Sequence, residues 1–231
     1  MRILLVDHCL LQSLEGKALR SLASSMRGAG NEVLSLVADQ RRDDQSGDHQ
    51  GADELDLAVQ KVVCGAGDPR ADLLMDPPAL GSTVAGVTNF SDLTETQIAA
   101  YREAWREALE RSVADFNPDV IHCLHLWLPA HAALETGVPY VAAVVGPELD
   151  AALNDRRYRR FVEQVAQNAG RILAVDDKAR QQLLARYPEL EDRTLTMAPA
   201  SADDEPAVRS ITARTVRIYA EVLSERRGVT E

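Results

Sequence analysis

The sequence predicts an α/β fold, a doubly wound and mostly parallel sheet with helices on both faces and a C-terminal helix docked back onto it. Three observations carry this expectation. Short, continuous runs of Val, Ile and Leu recur along the 231 residues, and runs without alternation belong to strands covered on both faces. Helical spacings separate them, and regular β-α alternation requires mostly right-handed parallel crossovers. An apolar fraction of 45% is ample for a buried core.

Ile3 to Val6 is the first run, closed by Asp7 and His8; it is too short for a signal-peptide core. Lys17 to Arg27 carries Leu19, Leu22 and Met26 at helical spacing, with Gly28 and Gly30 as the C-terminal stop. Glu32 to Val37 reads as strand two and Ala58 to Val63 as strand three. Between them, Asp39 to Asp56 has the composition of a solvated or disordered loop. From Gly65 to Asn89, three prolines and several glycines forbid a continuous helix or central strand. That leaves a long irregular excursion, and loops of such length are often functional.

Thr94 and Gln97 have capping-box spacing. Ile98, Tyr101, Trp105, Ala108, Ser112, Val113 and Phe116 then trace one face of a long helix, which Asn117-Pro118 ends. Strands follow at Val120 to Leu124, Tyr140 to Val145 and Arg171 to Val175. Helical stretches lie around Ala130 to Glu135, Asp155 to Asn168 and Asp177 to Tyr187, and Leu195 to Met197 is a candidate last strand. After a polar linker from Ala198 to Glu205, Val208, Ile211, Thr215, Ile218, Tyr219 and Val222 form one stripe on a terminal helix. The economical division is 1–203 as one domain and 204–231 as a helix packing back on it, with no internal repeat.

The formal charge of -11 argues against a nucleic-acid surface, because a phosphate backbone repels it. Three cysteines, an odd number without CxxC, suggest neither a disulfide framework nor a thiolate zinc site. A reducing compartment fits, a cytoplasmic location is expected, and no segment approaches a transmembrane span.

In doubly wound sheets ligands bind beyond the carboxyl ends of the strands, where loops and helix N-termini converge. After strand one the chain runs Asp7-His8-Cys9-Leu10 and on to Gly16-Lys17, with neither GxGxxG nor GxxxxGK[ST]. This excludes a nucleotide P-loop and leaves a dinucleotide oxidoreductase or methyltransferase without its glycine fingerprint. Gly16 either lets a phosphate or sugar approach a helix N-terminus, with Lys17 as counter-charge, or is an ordinary glycine at a helix start. After strand four come His122, His125 and His131. Imidazoles at a strand end bind hydroxyls, phosphates or metal; alternatively His122 packs inside the sheet and the other two are loop residues. Their spacing matches no zinc pattern, and neither a metal nor a cofactor is assigned. Trp127 either stacks on a sugar ring or belongs to the core. After strand five, Gly146 allows close backbone approach and Glu148 offers an acceptor or general base, the alternative being a plain Gly-Pro turn. Arg156, Arg157, Arg159 and Arg160 form a dense basic cluster, suited to phosphate or an anionic headgroup or forming a solvated helix face. No GxSxG is present, and no hydrolase is proposed.

Several segments stand in a telling order. They are Gly30-Asn31-Glu32-Val33, Pro118-Asp119-Val120-Ile121-His122, His125-Leu126-Trp127 and Gly137-Val138-Pro139. The order resembles the N-terminal, acceptor-side domain of retaining GT-B glycosyltransferases of the family 4 type, over nearly all of Arg2 to Ala202. The family strand ending Thr-x-His-Gly-x-Glu runs Ala143-Val144-Val145-Gly146-Pro147-Glu148 here, so Val145 stands where the family has a histidine implicated in catalysis. Val175-Asp176 replaces a Val-Ser pair, and Pro199-Ala200-Ser201-Ala202-Asp203 is a degraded form of the family's Pro-Asn-Gly-Val-Asp-like hinge.

The resemblance implies a Rossmann-like domain whose donor-binding counterpart lies beyond that hinge, where only 204–231 follow. It implies a glycosyltransferase-like acceptor-side domain acting with a separate donor-binding partner in sugar transfer from a nucleotide sugar, and incomplete alone. Val145 favours the alternative, a non-catalytic carbohydrate- or protein-binding or regulatory homologue. The expected partners are the donor domain, a sugar or glycosyl acceptor and a second copy, since a homodimer would cover the open cleft. No cofactor follows from the resemblance.

Overall fold

Seven of the apolar runs become strands of one sheet: β1 (Arg2–Leu10), β2 (Glu32–Gln40), β3 (Val59–Cys64), β4 (Val120–Cys123), β5 (Tyr140–Val144), β6 (Arg171–Ala174) and β7 (Thr194–Thr196). The computed structural model describes residues 1–10, 14–40, 59–64, 80, 88–197 and 204–228. All pairings are parallel, and the order is β3-β2-β1-β4-β5-β6-β7. The chain therefore winds outward from β1 to β3 and crosses back to lay β4 on the other side of β1. That reversal is the topological switch point of a Rossmann-like sheet, where the loops leaving two neighbouring strands diverge and open a crevice.

The helices are α1 (Leu14–Gly28), α2 (Glu95–Phe116), α3 (Leu128–Glu135), α4 (Pro147–Asn154), α5 (Arg156–Asn168), α6 (Asp177–Leu184) and α7 (Glu205–Gly228). The capping box of α2 forms as expected. Thr94 Oγ1 accepts from the Gln97 N–H at 3.2 Å, and Gln97 Oε1 accepts from the Thr94 N–H at 2.9 Å. Its end is set by Asn117, left-handed at φ 46, a conformation asparagine tolerates. Asp155 and Asp176 cap α5 and α6, accepting from Arg157 N–H at 3.0 Å and Ala179 N–H at 2.7 Å.

Alternation along the strands divides the core. Leu4, Val6, Ile121, Cys123, Ala142 and Val144 pack under α2, α3, α5 and α6. Ile3, Leu5, Val120, Val141, Ala143 and Leu173 pack under Leu19, Ala23 and Met26 of α1 and Ile218, Tyr219 and Val222 of α7. The terminal helix thus buries its apolar stripe on the sheet.

Some boundaries differ from the sequence reading. β2 runs on through Asp39 and Gln40 because it pairs with β3 over that length. α1 begins at Leu14, ahead of Lys17, and α4 occupies a segment to which no helix was assigned, because Pro147 fits the first helical position after Gly146. α6 ends at Leu184, and a 3-10 turn at Pro188–Arg193 leads into β7. Most of the polar loop from Asp39, most of the excursion from Gly65 and most of the linker from Ala198 lie outside the described residues.

Candidate functional site

At the switch point β1 and β4 run side by side, with Leu5 opposite His122 and Val6 opposite Cys123. The Leu124 N–H donates to the Val6 carbonyl at 2.9 Å. Continuing the same register places His8 beside His125. Their rings meet edge to face, with centroids 4.5 Å apart. Asp7 Oδ1 lies 3.8 Å from His8 Nδ1 and 3.7 Å from His125 Nε2. Asp7 and His8 are buried, at 3% and 5% exposure, and the His125 side chain is 12% exposed.

Burial first, and the neighbouring His125 second, hold the His8 pKa well below its ordinary value, so His8 is neutral at physiological pH. Burial, reinforced by the Asp7 charge, pushes the Cys123 thiol up; it stays protonated in the core. The edge of Phe90 closes one side of His8, at a centroid distance of 6.0 Å. The switch point therefore presents a carboxylate, a neutral imidazole and a second imidazole at the rim.

Of the histidines after strand four, only His125 reaches this site. His122 points to the opposite face of the sheet, where its Nδ1 lies 2.6 Å from Tyr219 Oη; burial pushes its pKa down to about 4. His131 lies on α3, with Nε2 2.9 Å from Gln164 Oε1 and Nδ1 3.4 Å from Arg102 Nη2.

Trp127 is fully buried, 5.1 Å from Phe90 and 4.8 Å from Tyr158 between ring centroids. It has no free face for a sugar ring and belongs to the core. Glu148 is likewise buried at 0% exposure. Its carboxylate accepts the Val145 N–H at 2.8 Å and the Gly146 N–H at 2.9 Å, so it anchors the start of α4. Gly146 adopts φ 122, a left-handed geometry that glycine alone enters easily. Gly16 falls in the first turn of α1 and Lys17 is exposed beside it. None of these five residues is part of the Asp7–His8–His125 group.

The basic cluster is divided. Arg157 is taken up by Asp155, with Nε 2.9 Å from Oδ2, and by the carbonyls of Ser91 at 3.1 Å and Leu93. Arg102 and Arg160 stack on Phe161, their guanidinium carbons 4.3 and 4.6 Å from its ring centroid.

Asp7 and His8 belong to no sequence motif; the one signal for them is their position directly after the first apolar run.

A family model for the glycosyl transferase 4-like domain matches residues 16–199. The chain belongs to that family. No curated protein matches the sequence. Among solved structures, this glycosyl transferase 4-like domain is similar to one of a sucrose-phosphate synthase from Thermosynechococcus elongatus. It is 12% identical to it with a TM-score of 0.56, covering 96% of this chain and 99% of that one. A second structure of sucrose-phosphate synthase from that organism is 14% identical with a TM-score of 0.53, covering 87% of this chain and 48% of that one. The UDP-GlcNAc 2-epimerase from Neisseria meningitidis, bound to UDP-GlcNAc, is 11% identical with a TM-score of 0.53, covering 96% of this chain and 52% of that one. The glycosyl transferase 4-like chain thus spans about half the length of those last two proteins. At such identities the likeness establishes the GT-B type of fold. No helix among the described residues is long and apolar enough to cross a membrane.

Proposed function

We propose that this glycosyl transferase 4-like chain is the acceptor-side half of a sugar-transfer pair, with transfer from a nucleotide sugar completed by a donor-binding domain on a separate polypeptide. The observation that carries the reading is the Asp7–His8–His125 group at the switch point. A carboxylate accepts from a sugar hydroxyl, and imidazole nitrogens supply further hydrogen-bonding positions, so the group suits an acceptor oxygen. It does not suit a diphosphate. The departing nucleotide needs fixed positive charge, and this group offers a carboxylate and a neutral His8. Donor contacts therefore come from outside it.

The test is to titrate glycosyl acceptors and nucleotide sugars separately against the thermal midpoint. A ligand at a hundred times its Kd adds about 2.7 kcal/mol of stability. Acceptors should raise the midpoint, Asp7→Asn should abolish the rise, and nucleotide sugars alone should leave it unchanged. A rise with nucleotide sugars and none with any acceptor would overturn the reading.

Val145 supports a second reading, a non-catalytic carbohydrate-binding or regulatory homologue. It is 37% exposed just beyond β5, and an aliphatic side chain has no proton to give or take. On this reading acceptors bind, but nucleotide release stays at background with any donor-binding domain, and Val145→His does not raise it.

A further inference from the structure

We infer that Asp7, His8 and His125 form a three-ligand site for a divalent transition-metal cation of the zinc class, with a fourth position left for an oxygen donor from outside. One ligand atom from each residue converges, all within 4.8 Å of one another. The Asp7 Oδ1 distances of 3.8 Å to His8 Nδ1 and 3.7 Å to His125 Nε2 exceed hydrogen-bond length. Ligands held at 2.0–2.1 Å around a tetrahedral ion lie about 3.3 Å apart, so the two Asp7 edges need a contraction of about 0.4 Å, and the His8 and His125 nitrogens, within 4.8 Å of each other, must close by a rotation of the rim imidazole.

Two imidazoles and one carboxylate form a donor set that selects zinc, cobalt or nickel over the all-oxygen shells of magnesium and calcium. Three protein ligands with a vacancy is the form taken by reactive zinc sites, in contrast to closed structural ones. The Asp7 carboxylate offsets part of the cation's charge. Asp7 and His8 stand on β1, which the parallel ladder fixes beside β4, and His125 follows two residues beyond the end of β4. The buried Cys123 is not among the converging ligand atoms. Metal-free, the three side chains offer an acceptor hydrogen bonds; with the cation bound, the acceptor oxygen takes the fourth position instead, so the metal test stands apart from the acceptor reading.

The probe is Co2+ added to the untagged full chain at neutral pH, because visible absorption of Co2+ reports tetrahedral coordination. One Co2+ per chain should bind with that spectrum, and Zn2+ should displace it. His125→Gln, at the rim, should weaken binding by about 100-fold or more while far-UV circular dichroism stays native. Asp7→Asn should do the same where it folds. His131→Gln, away from the group, should bind as the wild type does. Absence of the tetrahedral spectrum, equal Co2+ retention by wild type and His125→Gln, or an equal loss in His131→Gln would overturn the inference. The readout uses metal alone, so its failure leaves the acceptor titrations, repeated in EDTA, as an independent test of the proposed function.

Discussion

His122 carries a pH-dependent cost that follows from where its ring is held. It is 3% exposed against Tyr219, and burial moves its pKa from about 6.5 in the unfolded chain to about 4. Below pH 6.5 the unfolded chain therefore binds a proton that the folded chain refuses until about pH 4. The contribution to stability is complete above pH 6.5 and lost as pH falls toward 4, to the extent of roughly 3 kcal/mol. Urea unfolding of wild type and His122→Asn across this range should show a steeper fall for wild type; parallel curves would refute the assignment. Gly146 is a second residue whose role is conformational. Gly146→Ala puts a side chain at φ 122, a strain of about 1–3 kcal/mol. The Gln182 Oε1 that the new Cβ would meet at 2.9 Å is the end of a flexible chain and can move aside, so the backbone decides the loss, readable as a lower urea midpoint. At this scale the sequence showed which residues follow strands, but not which face each one takes.

Among the elements, α7 depends on the shape of the sheet surface it meets. A Cβ on Gly170 would lie 2.6 Å from Val222 Cγ1 and 3.4 Å from the Tyr140 carbonyl. The absence of a side chain there lets the helix approach. Gly170→Ala should lose about 1–3 kcal/mol by overpacking, and hydrogen exchange should accelerate in 205–228 ahead of the sheet. A change spread evenly over the chain would contradict this. The start of α5 is held differently. Arg157 joins it to the Ser91 and Leu93 carbonyls ahead of α2 while pairing with Asp155. Arg157→Ala should cost about 1–3 kcal/mol, whereas Arg159→Ala, on the solvated side, should cost little. The apolar stripes of α2 and α7 were legible because periodicity records burial directly. The helix α4 was not, since its few apolar residues carry too short a period to separate a helix from a turn.

For the molecule as a whole, the two sides of the sheet offer a test of its unity. Both tryptophans, Trp105 and Trp127, are buried on the α2–α3–α5 side, and α7 covers the other. If 1–203 and 204–231 act as one cooperative unit, tryptophan fluorescence and far-UV circular dichroism should report coincident unfolding transitions. An early loss of helix signal would mark α7 as a separate unit.

The sequence by itself determined the α/β class, the capped long helix, the docking stripe and the family resemblance, because periodicity, caps and motif order are local properties. The tertiary structure decided which chemistry-bearing residues meet. His125 was legible as a residue at a strand end. Its neighbours Asp7 and His8 lie more than a hundred positions away, and only the parallel pairing of β1 with β4 brings them beside it. The same packing buried Trp127 and engaged Glu148 with the Val145 and Gly146 N–H groups, neither of which local sequence could show. Burial and strand order are set by contacts between distant segments, and no local pattern encodes them.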